Sequence, residues 1–389
     1  MVTPGEALDA ELARLQSQHE DLYAEQIRQA MRMDTIEARL DAADAPPITP
    51  DPPTPPDGDT IWTTRIAQNA DLRPSGLTAT PTVDGKRYTS GMTIDMLHVR
   101  TVDTRFPMQD VWECQERPTH STPPKRQRLI ARLPLDPNFV HDPKRSNDLS
   151  VYVDDADGTI SGVGGAILTG GGTTTRPSKD GPTFHNWEVP PRKYQDEMGT
   201  VTSPGRAGQT GAARISAIGT YVKRTEYDRA IGGDETAIEH VLGLLVWGKA
   251  FLSREGGGKV WPAYDPDGSY ANPKSGNYYN GSIPYMRMGS LLALPDRITA
   301  AELPILGKTG RVPNLFRALA EVLFTHGGVV CDNTAWQAYA IKMDAQIGDD
   351  IVPDIADRQA FARMIAMCDC VVSNGPDTVG GGPAGSSRR

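Results

Sequence analysis

Cysteine is scarce in this chain, with four residues among 389 at positions 114, 331, 368 and 370. So few cysteines do not form a disulfide framework in a chain of this length. Cys368 and Cys370 are separated by a single residue, whereas a zinc site needs two residues between its cysteines and a second pair of ligands. We therefore predict a buried strand entry at this position, with no metal site and no cofactor.

Long apolar runs and clusters of positive charge are also missing. No stretch approaches the roughly 20 apolar residues of a transmembrane helix, and the N-terminus lacks the charged-then-apolar order of a signal peptide. We expect no membrane insertion. The net charge of −9 and a single short basic run at residues 125–128 argue against nucleic-acid binding.

Motifs for binding phosphate or calcium are incomplete. The glycine-rich stretches at residues 162–172 and 256–258 are not followed by the Gly-Lys-Ser/Thr of a phosphate-binding loop. The acidic run at residues 154–158 has neither the spacing nor the closing glutamate of a calcium loop. We predict turns at these positions, the last of them between two strands.

Turn residues and β-prone runs are abundant. The chain has 39 glycines and 32 prolines, and short runs rich in Val, Ile and Thr recur from residue 60 onwards. Helical periodicity is evident in the body at residues 313–325 and 354–367. We predict a mainly β fold, namely an antiparallel, jelly-roll-like β-sandwich at residues 60–375 with two peripheral helices. Residues 60–145 are left open as a separate β subdomain, and residues 376–389 form a Gly/Ser-rich flexible tail.

The first 45 residues carry a heptad-like apolar seam on an otherwise charged helix. The seam consists of Leu8, Leu12, Leu15, Leu22, Met33, Ile36 and Leu40. Residues 46–59 follow as a proline-rich linker, which is semi-rigid and separates the helix from the body. We predict an N-terminal α-helical coiled coil that oligomerises the chain or attaches it to other proteins. The alternative is a helix packed on the chain's own body.

Aromatic residues make up only 6% of the chain, but eight of them fall between Trp247 and Tyr285, among Gly, Asn, Asp and Ser. Aromatic rings beside polar side chains are suited to stacking on a sugar and hydrogen bonding to it. The predicted ligand-binding residues are Trp261, Tyr264, Asp267, Tyr270, Tyr278 and Tyr279. The alternative is that several of these side chains belong to the core.

The weak catalytic candidates are His240, Asp265 and Asp267. Two carboxylates with a nearby proton-transfer group could cleave a glycosidic bond. However, residues 265–268 also form a good turn sequence, and His240 lies in an apolar run that is typical of a core histidine. The sequence therefore favours a protein that is not an enzyme.

Several segments of the body resemble a β-rich domain of uncharacterised secreted bacterial proteins and phage minor tail proteins. They are residues 217–222, 238–242, 260–263, 284–294, 327–336, 371–376 and 380–382. The resemblance covers residues 145–385. It implies an architecture and a setting, because the family has no established activity.

Together with the coiled coil, the resemblance implies a virion protein of the tail-fibre or minor-tail kind. Two or three strands are both possible for the coiled coil, and virion fibres favour three. We therefore expect a homotrimer that is joined to other virion proteins through its N-terminal helix and presents a β-rich head for host-surface glycan recognition. Such a protein is made in the host cytoplasm and released by lysis. The alternatives are a purely structural connector, collar or capsid-fibre protein, and a polysaccharide depolymerase.

Overall fold

The computed structural model describes residues 60–101, 105, 108–114, 126–134, 149–154, 159–164, 183–185, 187–193, 198–205, 211–298, 310–345, 347 and 355–383. All of them belong to one unit, Asp51–Arg389. The predicted coiled coil (1–45) and linker (46–59) lie outside the described residues. Only residues 376–383 of the predicted tail are described.

The described part consists mainly of short strands. They are β1 (Leu72–Pro74), β2 (Thr82–Val83), β3 (Lys86–Arg87), β4 (Gly91–Thr101), β5 (Met108–Cys114), β6 (Arg126–Pro134), β7 (Leu149–Asp154), β8 (Thr159–Gly164), β9 (Thr183–His185), β10 (Trp187–Lys193), β11 (Leu242–Val246), β12 (Leu291–Ala293), β13 (Gly328–Asn333), β14 (Ala338–Asp344) and β15 (Asp369–Val371). The helices include α1 (Arg224–Ile231), α2 (Gly248–Phe251), α3 (Arg311–Thr325) and α4 (Ile355–Ala366).

These strands form a large sheet and two small ones. The large sheet has ten strands in the order β1-β15-β12-β13-β11-β14-β4-β7-β8-β10. Strands β2 and β3 pair in a second sheet, and β6-β5-β9 form a third. The β-rich body is therefore confirmed. The sequence left open whether residues 60–145 form a separate β subdomain. These residues contribute β1 and β4 to the large sheet.

The large sheet is mixed, whereas the sequence predicted an antiparallel one. Its parallel pairs are β11 with β13, β14 with β4, and β4 with β7. Parallel pairing joins strands that are distant in the chain. Such pairs leave no local turn signal from which the sequence could predict them.

Strand β11 is the centre of this sheet, and all five of its residues are buried. It lies between β13 and β14, pairing parallel with the first and antiparallel with the second. The β-prone runs at residues 329–332 and 336–343, on either side of the turn pair Asn333-Thr334, predict a hairpin. That prediction is wrong, because β11 separates the two strands. A strand that is apolar throughout is suited to this position, which is covered on both faces.

Helices α3 and α4 confirm the two helices predicted for the body, but both contribute to the core rather than lying at its periphery. Leu315 and Leu319 of α3 and Phe361 of α4 are fully buried. The rings of Phe316 and Phe361 meet with their centroids 5.1 Å apart. Helices α1 and α2 were not predicted, because one or two turns show too little periodicity to be recognised.

Two smaller predictions are confirmed. Cys368 and Cys370 are buried free thiols, and Cys370 lies in β15. Strands β7 and β8 pair antiparallel on either side of residues 155–158.

Across the described ranges, no helix is long and apolar enough to cross a membrane, and no group of three or more His, Cys, Asp or Glu side chains could hold a metal ion.

Candidate functional site

The aromatic segment between α2 and β12 has almost no regular structure, yet backbone hydrogen bonds hold it in place. Ser253 N donates to the Met286 carbonyl at 2.7 Å, and Gly281 N donates to the Leu252 carbonyl at 2.8 Å. Tyr279 N donates to the carbonyl of Tyr270 at 2.9 Å. The segment therefore has a defined conformation and can present side chains at fixed positions.

Tyr279 and Asp267 anchor the segment from inside. Tyr279 is 0% exposed and Asp267 is 8% exposed. The Tyr279 hydroxyl donates to Asp267 Oδ2 at 2.6 Å and accepts from the Asp267 amide at 3.1 Å. Burial raises the pKa of the Asp267 carboxyl, although the hydrogen bonds from Tyr279 and Asn333 oppose the rise. Both residues were predicted to bind a ligand, and the structure places both in the interior.

Gly248 lets α2 approach this anchor closely. A Cβ atom at position 248 would lie 2.9 Å from the Tyr279 ring and 3.0 Å from Asn333 Cγ. The amide of Gly248 donates to Asn333 Oδ1 at 2.8 Å, and Asn333 Nδ2 reaches Asn277 Oδ1 at 3.5 Å. Asn333, at the end of β13, thus ties α2 to the aromatic segment.

The outer side chains of the segment are available at the surface. Tyr278 is half-buried, and the exposed Arg254 lies over its ring with the guanidinium carbon 4.8 Å from the centroid. Trp336 is 55% exposed and follows Asn333 by three residues. Since Asn333 contacts Asn277, the turn that carries Trp336 adjoins the loop that carries Tyr278. We call this set, consisting of Arg254, Asn277, Tyr278, Asn280 and Trp336, the Tyr278–Trp336 surface.

The other predicted aromatic residues are partly withdrawn from solvent. The Tyr264 hydroxyl donates to the Gly205 carbonyl. The Tyr270 ring is tilted against Tyr279 with centroids 5.6 Å apart. Trp261 lines a cavity of about 20 Å³ beside Trp62. That volume accommodates about one water molecule and is far too small for a sugar ring.

The three catalytic candidates do not converge. Asp265 pairs with Arg214 at 3.1 Å and Lys259 at 3.7 Å, whereas Asp267 is bound to Tyr279. His240 is 8% exposed. Its Nδ1 lies 2.9 Å from the Val241 carbonyl, and its Nε2 lies 3.0 Å from Glu226 Oε2.

The His240–Glu226 contact is buried on both sides. Burial alone would raise the pKa of Glu226, but His240 and Lys223 together lower it to about 2. The backbone amide of Lys223 also donates to Glu226 Oε2 at 2.9 Å, at the start of α1. This arrangement joins α1 to the residues before β11, which is a structural role.

A second group of charges contains the buried Lys342 and the half-buried Asp95 and Asp332. Lys342 of β14 is paired with Asp95 of β4, its partner in the strand register. Burial, together with the charges of Asp267 and Asp95, raises the pKa of Asp332 to about 7. This group supports the sheet below Asn333.

Sequence reasoning missed Trp336 and Arg254. The turn before Trp336 contains Ala335 with a φ of 61°, a left-handed conformation that β-prone sequence does not announce. The Asn333-Thr334 pair did signal a turn, but not that the following tryptophan would face solvent. No family model, curated protein or solved structure matches the chain. The candidate site is therefore defined by its geometry.

Proposed function

We propose that this chain is a virion structural protein of the phage tail-fibre or minor-tail kind, and that its β-rich body binds a glycan of the host surface. Its N-terminal coiled coil oligomerises the chain as a homotrimer and joins it to other virion proteins. The protein is made in the host cytoplasm and leaves by lysis.

The observation that carries the binding role is the Tyr278–Trp336 surface. Sugar-binding sites combine aromatic faces with nearby polar groups. Tyr278 supplies a ring, Asn277 and Asn280 supply amides, and the exposed Trp336 adds a second apolar face. The buried Tyr279–Asp267 anchor holds this loop before any ligand arrives, which reduces the ordering cost of binding.

Weak sites are sufficient for this function if the chain is trimeric. Three copies of a shallow surface on one stalk gain affinity by avidity without a deep pocket in any subunit. In the finer architecture that we propose, the ten-stranded and three-stranded sheets are the two layers of a sandwich, and residues 46–59 separate it from the stalk.

The proposal assigns no catalytic residue. A glycosidase needs two carboxyl groups that flank one bond, whereas Asp265 and Asp267 have separate partners. The depolymerase alternative therefore has no observation in its favour.

Binding of the purified full-length chain to host cells tests the proposal. We expect Tyr278→Ala and Trp336→Ala each to weaken binding about tenfold, as for an aromatic side chain at the centre of an interface. Tyr279→Ala is not a suitable variant, because Tyr279 is buried and its loss would disturb the fold.

Met108→Ala is the matched control, because Met108 is 59% exposed and lies outside the surface, on β5. Unchanged binding by both aromatic variants would refute the glycan role. If the aromatic variants bind host cells normally but fail to assemble into particles, the structural-connector alternative is favoured instead.

A further inference from the structure

Two arginines of the aromatic segment have no carboxylate partner among the residues that the structure describes. Some other arginines of the body, such as Arg73, Arg229 and Arg297, pair with Asp71, Asp234 and Asp369 at 2.8, 2.6 and 2.5 Å. Arg254 instead lies over the ring of Tyr278. Arg287 has a buried Nε with no hydrogen-bond acceptor. In a chain with a net charge of −9, two unpaired cations in one segment call for an explanation.

The Arg287 guanidinium packs against the backbone of the glycine loop, two residues after Arg254. Gly256 has a φ of 57°, and a side chain at this position would overlap Arg287 Nη1. Gly257 has a φ of 79°, is exposed, and has nothing within 4 Å of the position that its Cβ would occupy. Neither residue carries a side chain that could satisfy or shield the arginine.

Arg254 and Arg287 lie on adjoining pieces of backbone. Ser253 N donates to the carbonyl of Met286, and Met288 N donates to the carbonyl of Gly258 at 3.1 Å. Arg254 and Arg287 each follow a residue of the first pair, and Arg254 also lies over the ring of Tyr278. The guanidinium group forms paired hydrogen bonds with carboxylate and phosphate groups.

We propose that the ligand of the Tyr278–Trp336 surface is an anionic glycan, whose carboxylate or phosphate group binds Arg254 and Arg287 while a sugar ring stacks on the aromatic side chains. This inference rests on the proposed function and specifies the class of its ligand. The adjacent Glu255 is exposed, and its carboxylate would oppose such a ligand.

Binding of the full-length chain to three defined oligosaccharides tests the inference. The probes are galacturonic acid oligomers for carboxylate, glycerol phosphate oligomers for phosphate, and dextran oligomers of matched length as the neutral reference. We expect one charged probe to bind about tenfold more tightly than dextran, with a preference that falls as salt screens the charges. The charged probe that binds more tightly identifies the anionic group of the ligand as a carboxylate or a phosphate.

The variants separate the cations from the aromatic rings. Arg254→Gln and Arg287→Met should each remove most of the preference, about five- to tenfold, because a charge-assisted pair is lost. Glu255→Gln should strengthen binding about threefold by removing repulsion. Arg229→Gln is the control, because Arg229 is exposed on α1 and already paired with Asp234.

Dextran bound as tightly as both charged probes, or arginine variants without effect, would overturn the inference. In that case the Tyr278→Ala variant tests the proposed function independently of the anionic specificity. If Tyr278→Ala abolishes adsorption to host cells while Arg254→Gln and Arg287→Met leave it intact, the glycan role stands and only its anionic specificity falls.

Discussion

Tyr278 and Tyr279 are neighbours with opposite roles. Tyr279 is buried against Asp267, whereas Tyr278 lies at the surface under Arg254. The sequence predicted an aromatic segment that could bind a ligand, but it could not assign the two tyrosines to inside and outside. In a strand or helix, periodicity would separate the faces. An irregular loop has no such period, so tertiary hydrogen bonds alone determine which of the two tyrosines is buried.

Removal of the Tyr279 hydroxyl should destabilise the protein. In Tyr279→Phe, the buried Asp267 carboxyl loses one of its donors, and we expect the free energy of unfolding to fall by about 1–3 kcal/mol. Tyr285→Phe is the matched control, because the Tyr285 hydroxyl donates to the Pro74 carbonyl near solvent at 2.9 Å, and its loss should cost only about 0.5 kcal/mol. Urea denaturation measures both. Equal effects would show that the anchor adds nothing.

His326 should make stability depend on pH. Burial, helped by the nearby Arg65 and His240, lowers the pKa of His326 from 6.5 to about 4. The folded state therefore holds this imidazole neutral, while the unfolded state protonates it below pH 6.5. The contribution of His326 to stability should be fully present above pH 6.5 and fall by up to about 3 kcal/mol as pH drops to 4.

The variant His326→Gln, which cannot titrate, checks this. Relative to this variant, the parent protein should lose about 3 kcal/mol of stability as pH drops from 6.5 to 4, because the other titrating groups, such as Asp332 with its pKa raised to about 7, act alike in both proteins. The same slope in both proteins would assign the pH dependence to other groups.

At the scale of elements, the sequence predicted strands and helices better than their partners. The helices at α3 and α4 and the pairing of β7 with β8 were correct, because each depends on a local pattern. The insertion of β11 between β13 and β14, and the parallel contact of β14 with β4, were not predictable in this way. They depend on contacts between distant parts of the chain, which carry no turn signal.

The Lys342–Asp95 pair tests the β14–β4 contact. Lys342→Met leaves Asp95 without its cation, and we expect a loss of about 3 kcal/mol in denaturation experiments, as for breaking one half of a buried pair. In the double variant Lys342→Met/Asp95→Leu, most of that loss should be recovered, because no unpaired charge is left. If the double variant is as unstable as the single one, the pair is not the interaction that joins these strands.

At the scale of the whole molecule, oligomerisation stays a prediction from the heptad pattern of residues 1–45. Sedimentation equilibrium of the full-length chain should give a trimer, and Leu12→Asp/Ile36→Asp should give a monomer, because charges in the seam cannot be buried. A monomeric parent chain would contradict the predicted coiled-coil stalk.

The most direct test of a multivalent glycan-binding head is the affinity of the full-length chain for host cells. We expect the parent protein to bind about a hundredfold more tightly than the monomeric Leu12→Asp/Ile36→Asp variant. Tyr278→Ala/Trp336→Ala should fall to background while keeping the parent's oligomeric state. Undiminished binding by the double aromatic variant would contradict the central claim.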